Sequence, residues 1–275
     1  MVQSFVIFIP FGAGDRTQFQ TPARSQIFTL GTMFFGTMRI PTIIGTIDRR
    51  ILINYQADRE VIEKFLPTQF RPKLVNGKAI VGICLIRLKN IRPKGLPFNI
   101  GISSENGAHR IAVEWTENGE LKEGVYVPRR DTSSRLNSLA GGRVFPGIHN
   151  LADFKVNESD GHYDIEFKSQ DGTSLSIKAQ ETNEWNKLSL FDNQDCTSDF
   201  FKQGSVGYSP NKIQDTFDGL ELKTKNWAVT PLTVSKVKSS FFENKDVFPD
   251  GAITFDNALL MRNIDHEWIS KKSLE

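Results

Sequence analysis

The sequence predicts an α+β chain that is mostly β: one large antiparallel sheet, closed or strongly curved, with a few short helices. Three observations lead there. Short runs rich in Val, Ile and Phe recur along the chain, bounded by Gly, Asn, Asp or Pro. Asn-Gly and Asp-Gly pairs separate several of these runs, and such pairs favour tight hairpins. Helical patterns are few and short.

Taken in order, the first clear strand is RRILINYQ (49–56), which alternates. AIVGICLIRL (79–88) is a long apolar run, the pattern of a strand buried on both faces. Residues 109–129 read as two strands around Glu117-Asn118-Gly119. Residues 153–181 read as three strands, with turns at Ser159-Asp160-Gly161 and Gln170-Asp171-Gly172. Segments 220–242 and 252–262 add more. A helix is predicted over 58–66, with Asp58 as N-cap and Pro67 as its stop. A second spans 131–142, capped by Asp131 or Thr132 and ended by paired glycines. A third spans 195–204, with Asp195 as cap and Gly204 at its end.

The chain has 275 residues, 39% hydrophobic and 24% charged, which is ordinary globular composition. Its 21 phenylalanines are the one unusual count. A net charge of +2 gives no electrostatic case for nucleic acid or an anionic membrane as partner. Two cysteines, Cys84 and Cys196, are too few for a disulfide framework or a structural zinc site. A soluble, cytoplasmic protein is expected. Residues 1–37 carry only the charges of Asp15, Arg16 and Arg24. Their apolar run FVIFIPF (5–11) is far shorter than the ~20 residues of a membrane span. The expectation is a poorly ordered extension, or sequence upstream of a true start at Met33 or Met38. One domain is expected over 38–271, followed by a tail at 272–275.

Motifs with chemical meaning are mostly missing. There is no phosphate loop, dinucleotide fingerprint, His-Glu-x-x-His or Gly-x-Ser-x-Gly. The four histidines are far apart in sequence, and no metal site or cofactor is expected. His162 reads as a solvated turn residue and His266 as structural. One stretch stands out, AGGRVFPGIHNLADF (140–154), where Arg143, a Pro146-Gly147 turn, His149 and Asn150 follow a helix end. Such a loop can hold polar side chains rigidly. The bland reading of His149 is a buried, hydrogen-bonded loop residue. In SSENGAHR (103–110), Glu105 and Arg110 read as loop residues. Of Arg49 and Arg50, neighbours on a strand, at most one can face an interior, and it would need an anionic partner.

The order IPTIIGTIDRRILINYQ, KFLPTQFRPKLVNGKAIVGI, SSEN…HRIAVEW, GVYVPRRDTSSR and GGRVFPGIHNLADF resembles the YqjF-like branch of uncharacterised proteins in the acetoacetate decarboxylase-like superfamily. GSVGYS (204–209), DGLEL (218–222), SSFFEN (239–244) and FDNALLMRNIDHEW (255–268) continue the resemblance over essentially 38–271. It implies an antiparallel β-barrel or cone around a small central pocket. The decarboxylases use a Schiff-base lysine in a Pro-Lys-Lys turn. Aligned on Gly142-Arg143, His149 and Asn150 fall at the lysine positions, and imidazole cannot form that iminium. The resemblance places Glu105 at one pocket glutamate and apolar Ile83 at the other. It places Arg49, or Arg50, at an early pocket arginine. The expected site is therefore His149 and Glu105 for acid–base catalysis, with Arg49, Arg143 and Asn150 binding a small carbonyl or carboxylate compound. The alternative is a non-catalytic small-molecule binder on the same fold. Superfamily members commonly form homo-oligomers.

Overall fold

The computed structural model describes residues 41–97, 101–139 and 147–275. In chain order these form β1 (Ile43–Ala57), α1 (Arg59–Phe65), β2 (Arg71–Pro72), β3 (Leu74–Val75), β4 (Lys78–Pro93), β5 (Ile102–Glu117), β6 (Glu120–Thr132), α2 (Arg135–Leu139), β7 (His149–Ser159), β8 (His162–Ser169), β9 (Ser174–Glu181), α3 (Gln194–Gln203), β10 (Val206–Pro210), β11 (Phe217–Thr224), β12 (Thr230–Ser239) and β13 (Ile253–Leu274). The hairpin signals mark real turns. Asn118 and Gly119 take φ of 52° and 81° between β5 and β6, and Asp160 and Gly161 take 49° and 77° between β7 and β8. Two successive left-handed residues are the geometry that Asn-Gly and Asp-Gly supply at low cost.

The strands close on themselves. β13, β1, β4, β5 and β6 pair side by side and antiparallel. β6 then pairs β10 in parallel, β10 pairs β11, and β11 returns to β13, completing a ring of seven strands. From β6 a second path runs through β7, β8, β9 and β12 back to β13. The five strands from β13 to β6 are thus a wall shared by two rings.

That shared wall accounts for the unbroken apolar run of β4. Successive strand residues point to opposite faces. On one face Ile53, Ile83, Leu85 and Ile111 pack with Tyr163, Phe167, Leu175 and Ile177 of the second ring. On the other, Leu52, Cys84, Ala112 and Leu259 pack with Phe191 and Phe201. Many phenylalanines serve the first core: Phe65, Phe241, Phe242 and Phe248 stack there. His109 is fully buried among them, its ring 4.5 Å from Phe241 and its Nε2 3.1 Å from Ser239 Oγ.

Several sequence expectations need correction. Glu105 and Arg110 are strand residues of β5, not loop residues. The second helix starts later than predicted, at Arg135, because Asp131 and Thr132 still pair with Gly107 and Asn106 in the sheet. Asn193, not Asp195, caps α3: its Oδ1 accepts from the Cys196 amide at 2.9 Å. Residues 272–274 are not a tail, since β13 continues to Leu274 opposite Phe217. The predicted extension 1–37 lies outside the described residues. No helix among the described residues is long and apolar enough to cross a membrane.

Candidate functional site

Every strand of the seven-strand ring contributes a side or backbone surface to one partly open cavity of about 140 Å3. Its lining includes Arg50 (β1), Cys84 (β4), Arg110 (β5), Val127 and Arg130 (β6), Gly207 (β10), Leu222 (β11) and Trp268 (β13). α3 adds Phe201 and Lys202. An adjoining lobe of about 60 Å3 shares Cys84, Ala108, Arg130 and Trp268 and adds Asn106, Asn137 and His149. A cavity of ~150 Å3 holds a ring the size of benzene, so the space suits a molecule of about six heavy atoms.

The lining is cationic. Arg50, Arg110 and Arg130 all reach it, and among the described residues no Asp or Glu lines the larger lobe. Asp131 borders the smaller lobe, but its carboxylate accepts from Arg129 at 2.7 Å and from Ser169 Oγ at 2.5 Å. Arg50 Nε donates to Cys84 Sγ at 3.1 Å, and Arg130 Nε donates to Ser209 Oγ at 3.1 Å. Arg110 is only 4% exposed and stacks over Phe201 at 4.3 Å. One of its Nη groups donates to Asn54 Oδ1. The Asn54 amide donates in turn to Asn257 Oδ1 at 2.7 Å, and Asn257 donates to Asp256 at 2.6 Å. The Arg110 Nε is buried with no hydrogen-bond partner. Burial pushes Arg110 and Arg130 down to about 10, with the Cys84 sulfur opposing that fall, so both stay charged at neutral pH. A buried guanidinium with an unfilled donor is costly unless something anionic meets it.

His149 is positioned by its own turn. Gly147 has φ +85°, and a Cβ there would stand 2.7 Å from Ser209 Cβ. The Gly147 carbonyl lies 3.3 Å from His149 Nδ1. A carbonyl only accepts, so Nδ1 carries the proton and Nε2 keeps its lone pair. β7 pairs with β6 in parallel, setting His149 beside Arg130. Burial, reinforced by the Arg130 charge, holds His149 down at about 4, so it is neutral near pH 7.

The structure separates the residues singled out from sequence. Arg49 is fully buried but on the far face of β1, where it pairs with Glu105 at 2.5 Å and with Glu158. Arg87 completes the cluster, with Nε 2.5 Å from Glu105 and an Nη 3.1 Å from Glu158. Glu105 therefore faces the first core, whereas His149 lines the cavity on the other side of the wall, and the two are not brought together. Asn150 donates to the Arg130 carbonyl at 3.0 Å and lines a separate groove with Ile148. Arg143 lies outside the described residues. From sequence, Arg50 stands only as the alternative to Arg49 and Arg110 only as a loop residue, and neither Arg130 nor Cys84 is singled out. Their signal was alternation in phase: 50, 84 and 110 share a face with Ala108 and Arg130 only once the register is known.

The fold has known counterparts. An acetoacetate decarboxylase from Legionella pneumophila superimposes with a TM-score of 0.55 at 13% identity, covering 85% of this chain and 87% of that one. An acetoacetate decarboxylase-like enzyme from Sphingomonas wittichii gives 0.54 at 9% identity, covering 92% and 100%. The enduracididine biosynthesis enzyme MppR, solved with pyruvate, gives 0.51 at 10% identity, covering 85% and 89%. At these identities the likeness is one of fold. No curated protein matches the sequence. Residues 46–253 match the family DUF2071, described as an uncharacterised conserved protein, and the chain belongs to that family, on an acetoacetate decarboxylase-like fold.

Proposed function

We propose that the cavity of the seven-strand ring binds a small carboxylate that also carries a carbonyl, with His149 as the base for proton transfer beside that carbonyl. The observation behind this reading is the set of three guanidiniums, Arg50, Arg110 and Arg130, that line a cavity whose larger lobe has no described acid. Arg50 and Arg130 would share the ligand's charge, and the planar guanidinium suits a carboxylate. The volume supports a ligand of a few heavy atoms, and the MppR neighbour solved with pyruvate is consistent with that size class. Schiff-base chemistry does not fit the cavity. The one described lysine that lines it, Lys202, is exposed on α3, and Lys155 is exposed on β7.

In this reading a neutral His149 takes a proton from the carbon next to the carbonyl, and the guanidiniums stabilise the enolate oxygen. The test follows pyruvate in heavy water by NMR, with the full chain and its His149→Ala variant. Loss of exchange in the variant supports catalysis. The second reading is a non-catalytic binder. It is favoured by the commitment of Glu105 to Arg49 and Arg87 on the far side of the wall, away from the cavity that His149 lines. Binding of pyruvate with no exchange in either protein would select it.

A further inference from the structure

We propose that the ligand is a 2-oxo acid with a short apolar tail, about two carbons longer than pyruvate, and that Ala108 sets this length where the two lobes join. This rests on the carboxylate-binding reading above and names the class of compound that site would take. Strand alternation on β5 lays the cavity out in order. Asn106 lines only the smaller lobe, Ala108 lines both, and Arg110 lines only the larger. β4 repeats the order, with Leu88 in the smaller lobe alone and Ile86 in both. The cations are graded the same way: Arg50 and Arg110 line the larger lobe only, and Arg130 lines both.

The smaller lobe offers a different surface. Its Asn106 side chain accepts from Thr132 Oγ1 at 2.8 Å and donates to Ser104 Oγ at 2.9 Å. Its Asp131 is held by Arg129 and Ser169. Beside His149 and Asn137, a ligand there meets mainly Ile86, Leu88, Leu220 and the Trp268 ring. At roughly 25 Å3 per heavy atom, pyruvate fills the larger lobe of about 140 Å3, and the smaller lobe of about 60 Å3 takes about two more carbons. A carboxylate among the arginines therefore sends its chain past Ala108 into apolar surroundings. A bulkier side chain at that position closes the passage.

The full chain is titrated calorimetrically with pyruvate, 2-oxopentanoate and 2-oxooctanoate. Each buried methylene is worth about fourfold in affinity, so 2-oxopentanoate should bind at least about tenfold tighter than pyruvate. The further carbons of 2-oxooctanoate find no more room and should add less than about twofold. Two variants test the layout. Ala108→Leu blocks the joint, and Asn137→Phe fills the smaller lobe from half-buried Asn137 on α2. Each should bring the preference for 2-oxopentanoate over pyruvate below about twofold, with thermal melting as the check that it folds. If neither variant folds, the length series decides alone. A wild-type preference below about tenfold, a continued gain with 2-oxooctanoate, or a preference kept in either folded variant would overturn the proposal. If pyruvate binds while one of these results appears, only the tail assignment fails; if neither pyruvate nor 2-oxopentanoate binds, the carboxylate reading fails with it.

Discussion

Arg49 and Arg50 are chain neighbours that serve opposite sides of one wall. Arg49 closes an ion-pair cluster with Glu105, Glu158 and Arg87 between the first-ring strands and β7. Arg50 faces the cavity, with its Nε on the Cys84 sulfur and its guanidinium 5.8 Å from the Trp227 ring. Strand alternation forces this division, and it separates a structural role from a binding one.

The structural role predicts a large stability effect. Removing one partner of a buried ion pair leaves the other charge uncompensated, at a cost of about 3–5 kcal/mol. Arg49 is fully buried and pairs with both Glu105 and Glu158, so Glu158→Gln or Glu105→Gln alone should destabilise the fold by less than that, and the two together should approach it. Urea denaturation measures it. Acetate affinity of the folded protein should stay unchanged, because neither glutamate lines the cavity.

The binding role predicts the reverse pattern. Arg50→Met and Arg110→Met should each weaken acetate and pyruvate binding at least tenfold and leave acetone unaffected. Arg110→Met should cost about 1–3 kcal/mol of stability, because it leaves the buried Asn54 Oδ1 without its donor. Calorimetric titration and thermal melting read the two effects separately.

Acid should weaken the protein through its buried histidines. Burial holds His149 at about 4 and, reinforced by Arg129, His109 at about 3, against 6.5 for a free side chain. Below pH 6.5 the unfolded chain therefore binds protons that the folded chain refuses. Stability should fall as pH drops from about 6.5 and level off, for these groups, below about 4 and 3 respectively. His149→Gln should flatten the upper part of that slope in urea melts collected at several pH values. Exchange catalysed by neutral His149 should be flat in rate from pH 6 to 8.

Gly147 should resist substitution. A side chain there would need a left-handed backbone and would meet Ser209 at 2.7 Å. Gly147→Ala should cost roughly 1–2 kcal/mol from the backbone conformation alone. It should also lower pyruvate exchange more than pyruvate binding, because Gly147 sets the His149 ring.

Much of the fold could be read from local signals. The apolar run of β4 announced a strand buried on both faces, and Asn118-Gly119 and Asp160-Gly161 announced their hairpins. The pocket residues could not be read the same way. Choosing between Arg49 and Arg50 requires knowing which face of β1 meets the cavity, and that depends on register with β4 and β13. Arg110 looked like a loop residue because glycine and serines precede it, yet sheet pairing extends β5 back to Ile102. The Arg49 cluster depends on Glu158, 109 residues away, whose approach only the second ring explains.

The most direct test of the cavity's role is side-chain NMR of the arginine Nε–H groups, with the full chain titrated by pyruvate and, separately, by acetone. The account predicts that the Arg110 Nε–H resonance moves downfield and saturates with pyruvate, does not respond to acetone, and vanishes in Arg110→Met. An Arg110 Nε–H that ignores pyruvate at concentrations up to saturation of any other site would contradict carboxylate binding in this cavity.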